Sequence, residues 1–389
     1  MSKNNQSPDK NSRISRRTAL KLATGSLSAT AGFSSVSLTI SSSNDMVEIV
    51  IERGLVDGEV KHFTKKVPKS WHEYEQDVDR TLQELRSKYE SNPKVFGPSI
   101  ITDQENKTKG GKKVTQLKLS IEEGYDRSNI PNSKNGVPIK INIAESDQPP
   151  GACENTSYSD MQGGVAIEMD RDGDDSKDSG FGTSGCRVAN PDGNCNEYLL
   201  TVNHLFLQSP DYDCEGNWDD GIYFYNDSYY GEVYRYDQNM DYAIVDPDNE
   251  SSIDAHIKDS RWDYKVKTNK TRSGLKDMIS DDTLVEKMGA STGGRTGEIE
   301  GINETHTYGC VDLEGDGVLT TCDMADGDSG GPIYTESEAL SDALSMCALS
   351  VARNGENGTE CGNPFYSECI GTPAYRMVQD MGIEFDTVC

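Results

Sequence analysis

Two kinds of apolar spacing divide the chain. In "SWHEYEQDVDRTLQELRSKYES", Trp71, Tyr74, Val78, Leu82, Leu85 and Tyr89 recur three and four residues apart. That spacing lines one stripe of a helix. Ser70 and Glu73 have capping-box spacing at its start. "MVEIVIE" before it reads as a strand, and "TQLKLSI" and "VPIKINI" after it alternate with the period of two that strands require. Residues 45–150 are therefore expected to be a small α/β region. Beyond residue 150 the pattern changes to short runs such as "GGVAI", "YLLTV", "GEVYRY" and "YAIV", separated by Gly, Asp and Asn. Helical periodicity is scarce there and no internal repeat stands out. The pattern predicts a mainly β sandwich or barrel over residues 151–389.

Charge and cysteine place the same boundary. The 389-residue chain has a formal net charge of -28. Residues 151–389 hold 47 acidic against 15 basic residues, whereas residues 45–150 hold 18 against 17. All ten cysteines also follow residue 150. So acidic a chain repels phosphate backbones, which argues against nucleic acid as a partner. The acid is interleaved with Gly, Tyr, Ile and Val, as on a folded surface made for molar salt, where the Debye length shrinks to about 3 Å. A halophilic protein is the expectation.

Arg16 and Arg17 in "SRRTALK" precede a weakly apolar run, and residues 1–44 resemble a twin-arginine signal region. Secretion by that route is expected, with no transmembrane segment. Export permits disulfides, and ten cysteines could form five. Residues 45–150 are read as a propeptide or an accessory domain that stays attached, and His62 and His72 within them as surface residues.

The candidate chemistry lies in three stretches. "YLLTVNHLF" carries His204 at the end of an apolar run, "NMDYAIV" carries Asp241 at the head of another, and "DGDSGGP" carries Ser329. A serine nucleophile needs a base for its proton, and that base needs an acid to fix its tautomer. Gly327 can turn its N–H, with that of Ser329, toward an oxyanion. Asp237 lies close enough to compete with Asp241 for the acid's role. His256 and His306 lack comparable contexts and are read as surface residues. "DRDGDD" and "DLEGDG" resemble calcium-loop fragments without full ligand spacing.

These motifs resemble the trypsin/chymotrypsin-like serine peptidase family. "TVNH" stands where that family has Thr-Ala-Ala-His, and "GDSGGP" is its nucleophile signature. "GGVAI … FGTSGCRV … YLLTVNH" and "KMGASTGGRTGEI" are similar to its streptogrisin-like branch, and "ALSVARNG" resembles the strand along which the family's substrate backbone lies. The resemblance implies two six-stranded β-barrels with His204, Asp241 and Ser329 in the cleft between them. It also implies an oxyanion hole at Gly327 and Ser329, and a substrate-binding strand centred on Ser350. Asp323, six residues before Ser329, stands where the trypsin branch places an acid that selects Lys or Arg. There are departures. Leu205 replaces a common cysteine, and no Ile-Val-Gly-Gly start is evident, so activation by a freed N-terminus pairing with Asp328 is not expected.

The resulting expectation is an exported serine endopeptidase without cofactor or metal, acting on proteins or peptides. Its own N-terminal region is a candidate inhibitor, which would make the chain a zymogen. The alternatives are an esterase with the same triad and a secreted, non-catalytic binding module.

Overall fold

The period-two runs after residue 160 become short antiparallel strands. The computed structural model describes residues 45–89, 92, 95–102, 107–121, 124–143, 161–170, 181–189, 196–206, 221–224, 229–248, 253–308, 311–360 and 363–385. The expected signal region and the "RDGDD" stretch lie outside the described residues.

Two rings of strands carry the C-terminal region. In the first, Ala166–Asp170 pairs with Gly221–Phe224, which pairs with Tyr229–Asp237, then Tyr242–Pro247, then Glu197–Thr201. The segment 181–189 closes the ring. Its first half, Phe181–Thr183, bonds Ala166–Asp170, and its second half, Arg187–Ala189, bonds Glu197–Thr201. The second ring runs Leu284–Gly289, Gly293–Tyr308, Val311–Thr320, Asn363–Pro373, Ala343–Glu360 and Pro332–Glu336, then returns to Leu284–Gly289. The protein is thus a double six-stranded β-barrel of the trypsin/chymotrypsin type. Ile167, Val188, Leu200, Ile222 and Ile244 are fully buried in the first barrel's core. "DLEGDG" is part of the strand Val311–Thr320 rather than a loop, and Asp316 within it faces Arg376 at 3.6 Å.

Residues 45–143 attach to the second barrel at two places. The hairpin Met46–Val56 and Glu59–Pro68 pairs with Lys265–Lys270, which runs parallel to Ala343–Glu360. Val95–Thr102 pairs with Gly301 and Ile302, and Thr115–Ile121 and Val137–Ile143 continue that sheet. The helix Lys69–Tyr89 buries every residue of its expected apolar stripe. It starts two residues earlier than its capping signal implied. Ser70 is inside the helix, and the Lys69 N–H donates to Asp45 O at 2.9 Å instead.

Buried charges cross between the two regions. Lys270 Nζ lies 2.6 Å from Glu52 Oε1, with both side chains at most 1% exposed. Lys276 Nζ lies 2.7 Å from Asp79 and 3.3 Å from Glu75. Each such lysine is costly to leave unpaired in an apolar setting.

Ten cysteines could form five bridges, but four of them do not take part in one. Cys186, Cys322, Cys347 and Cys369 are free and buried. They pack as small apolar groups, and burial pushes the Cys369 thiol up to about 11 and that of Cys322 to about 12. Among the described residues no helix is long and apolar enough to cross a membrane.

Candidate active site

Strand pairing brings His204 and Asp241 to one end of the first barrel. Thr201 is opposite Ala243, so the residues just after the first strand meet those just before the second. A short 3-10 turn, Asn203–Phe206, then carries His204. Asp241 has a left-handed backbone with φ 51°, which an Asp tolerates better than most residues.

Asp241 is fully buried and holds the histidine twice. Its Oδ1 accepts from the His204 backbone N–H at 2.7 Å, and its Oδ2 lies 2.6 Å from His204 Nδ1. A carboxylate only accepts, so Nδ1 carries the proton and Nε2 is left as the basic nitrogen. Asp237 is not a rival: its carboxylate accepts from the Met240 N–H at 2.9 Å and shapes the turn before Asp241.

Ser329 lies on a loop from the second barrel that packs against the first. Gly330 has φ +93°, and a Cβ there would lie 2.1 Å from Thr183 O and 2.4 Å from Thr201 Oγ1. Only glycine lets the loop approach the strand that leads to His204. The Thr183 N–H donates to Ser329 O at 2.8 Å, which fastens the loop. The Ser329 hydroxyl makes a weak contact with Val351 O at 3.4 Å. Gly327 has φ +90°, and among the described residues neither its N–H nor that of Ser329 donates to a protein acceptor. Two unused donors beside a serine hydroxyl are what an oxyanion hole requires.

Asp328 anchors this loop from within. Its carboxylate accepts from the N–H groups of Ser291, Thr292 and Ala325 at 2.8, 3.0 and 3.0 Å. It also accepts from Thr292 Oγ1 at 2.6 Å and pairs with Lys287 Nζ at 2.6 Å. Both charged side chains are 0% exposed. An internal lysine therefore supplies the counter-charge to Asp328.

Ser350, the candidate substrate-binding residue, exchanges backbone hydrogen bonds with the Ser329 loop: Gly330 N–H to Ser350 O, and Ser350 N–H to Gly331 O, both at 2.8 Å. Asp323 is half-buried and faces Arg295 Nε at 3.7 Å, so its charge is partly met by this arginine. Asp326 pairs with Arg353, which stacks over the Tyr366 ring 4.7 Å away. Burial pushes the Asp326 carboxyl up to about 6, with Arg353 and His204 opposing and Asp328 adding to the rise.

His306 also differs from its surface reading. It is partly buried with an unpartnered Nε2, and it feels the charges of both Asp241 and His204. Burial holds its imidazole below the usual range, helped by His204 and opposed by Asp241. No spacing rule pointed to Lys287, Asp326, Arg353 or His306. Each acquires its role from a partner dozens of residues away.

Fold and site together define a chymotrypsin-type barrel pair with a carboxylate-held histidine beside a serine loop. Sequence comparison finds no family and no curated protein that the chain matches. Solved structures similar to it are serine proteases. Thermobifida fusca protease A superposes with a TM-score of 0.40 at 16% identity, over 59% of this chain and 100% of that one. Nocardiopsis protease gives 0.39 at 18%, over 58% and 98%. Cellulomonas bogoriensis chymotrypsin gives 0.38 at 18%, over 59% and 100%. The fold assignment here rests on the strand pairing itself.

Proposed function

We propose that the chain is a serine endopeptidase. Ser329 Oγ attacks the scissile carbonyl while His204 Nε2 takes its proton. Asp241 keeps the histidine in that tautomer and stabilises the imidazolium. The tetrahedral oxyanion is held by the N–H groups of Gly327 and Ser329. His204 returns the proton to the leaving amine, and water then resolves the acyl-enzyme through the same base. The reaction needs no cofactor. The observation that carries this reading is the double grip of buried Asp241 on His204, at the barrel end against which the Ser329 loop packs.

The acidic composition and the twin-arginine pattern support export into a salt-rich setting. Residues 45–143 fit an attached accessory part better than an inhibitor. Among the described residues no hydrogen bond or ion pair joins them to His204, Asp241 or Ser329.

Labelling with a fluorophosphonate in about 3 M salt, which suits the acidic surface, tests the reading. The expected result is one adduct that disappears in Ser329→Ala. A folded protein with no adduct would refute it in favour of a non-catalytic binding module. An adduct accompanied by ester but no peptide cleavage would make it an esterase.

A further inference from the structure

We propose that Arg353 makes this site select an acidic side chain on the acyl side of the scissile bond, the substrate carboxylate taking the place of the Asp326 carboxylate. The proposal rests on the peptidase reading and names its substrate class.

The pair lies beside the reacting atoms. Asp326 is the residue before Gly327 and the third before Ser329, and the His204 charge acts on it. Arg353 follows Val351, whose carbonyl is the contact of the Ser329 hydroxyl, by two residues. The ion pair thus spans from the nucleophile loop to the substrate-side strand. The proposal seats the side chain next to a substrate carbonyl at Ser329 in that span.

Burial decides which partner yields. The Arg353 side chain is 13% exposed and that of Asp326 is 42% exposed. Arg353 is further held by stacking on Tyr366, itself fixed by two backbone hydrogen bonds with Met324 at 2.8 and 2.9 Å. Asp326 has no comparable hold on its side chain and can turn to solvent. A ligand that displaces the more mobile, anionic partner is itself an anion. Asp323 and Arg295 repeat the relation less markedly, with the acid at 34% and the arginine at 25% exposure. In both of these pairs the deeper partner is the cation, in a region of 47 acidic and 15 basic residues. This is the opposite of the Lys or Arg preference expected from Asp323 alone.

The proposal also fixes a pH dependence. Asp326 titrates near 6, facing Arg353 from the strand, Asp328 from its own loop and His204 from the other barrel. A peptide glutamate titrates at about 4.3. As pH falls from 8 to 5, Asp326 takes up a proton while the substrate stays ionised, so Arg353 is released to the substrate. Effects of pH that are common to every substrate cancel in a ratio of two substrates.

The test uses the full chain and tetrapeptide p-nitroanilides that differ only in their last residue: Glu, Gln, Leu, Lys or Arg. Active enzyme is counted by fluorophosphonate labelling of the same sample. The expected Glu-to-Gln ratio of kcat/KM is roughly 10–100, the worth of a hydrogen bond to a charged group. It should rise between pH 8 and 5, rise at pH 8 in Asp326→Asn, and collapse toward one in Arg353→Gln. Preference for Lys, Arg or Leu in labelled enzyme, or an unchanged ratio in Arg353→Gln, would overturn the proposal and leave the peptidase standing. Absence of labelling in folded protein would overturn both.

Discussion

Replacing Lys287 by Met should damage both stability and nucleophile reactivity. Lys287 Nζ is 2.6 Å from Asp328 Oδ2, and neither side chain is exposed. At that separation and an effective dielectric constant of about 20, the gross attraction is about 6 kcal/mol, which desolvation of both ions reduces. Removing one partner leaves the other charge buried and uncompensated, at a cost of about 3–5 kcal/mol. Met is of similar length, so little of the loss comes from a cavity. The remaining donors, from Ser291, Thr292 and Ala325, keep the carboxylate in place and prevent it from escaping to water. Strain then passes to Ser329, the next residue, and to the N–H groups around it. Loss of one oxyanion donor lowers rates about 100–1000-fold, and fluorophosphonate labelling should slow on that scale. Urea unfolding and labelling rate are measured together at fixed high salt. Lys287→Arg, which keeps the charge, should recover most of both. A Lys287→Met protein within about 1 kcal/mol of wild type and labelled at the wild-type rate would show that the buried pair does not hold the Ser329 loop.

Two further predictions concern the other buried contacts. Glu52 of the N-terminal region accepts from Lys270 and Ser337 at 2.6 Å each, and from the Glu338 N–H at 2.9 Å. Glu52→Ala should therefore destabilise the whole unit by about 3 kcal/mol. If residues 45–143 were a detachable domain, urea would instead reveal a separate early transition with the barrel transition unmoved. Asp241→Asn should preserve folding but lower kcat by about 10⁴ near neutral pH, because the amide no longer fixes the productive tautomer. A loss of less than about tenfold in peptide hydrolysis would remove Asp241 from the role given to it.

Much of the fold was legible because it depends on local periodicity. The stripe from Trp71 to Tyr89 is a helix because its spacing matches 3.6 residues per turn. "TQLKLSI" and "VPIKINI" are strands with the bounds their alternation set. His204, Asp241 and Ser329 were visible because each stands at a fixed place relative to an apolar strand or a glycine loop. The capping-box spacing misled because Asp45, distant in sequence, supplies the helix start with an acceptor. The cysteine count allowed up to five bridges, yet four thiols are absorbed by apolar cores.

Residue order alone sufficed for the mainly β character of residues 151–389, the candidate nucleophile and its histidine, and the acidic composition. These follow from residue type and short-range spacing. It took the folded chain to set Asp241 rather than Asp237 against His204, and Lys287 against Asp328. The fold alone set Arg353 against Asp326 and joined residues 45–143 to the second barrel. Those outcomes depend on burial and on charges brought together from distant parts of the chain. A buried charge must find a partner wherever the fold supplies one, and linear spacing does not encode that location.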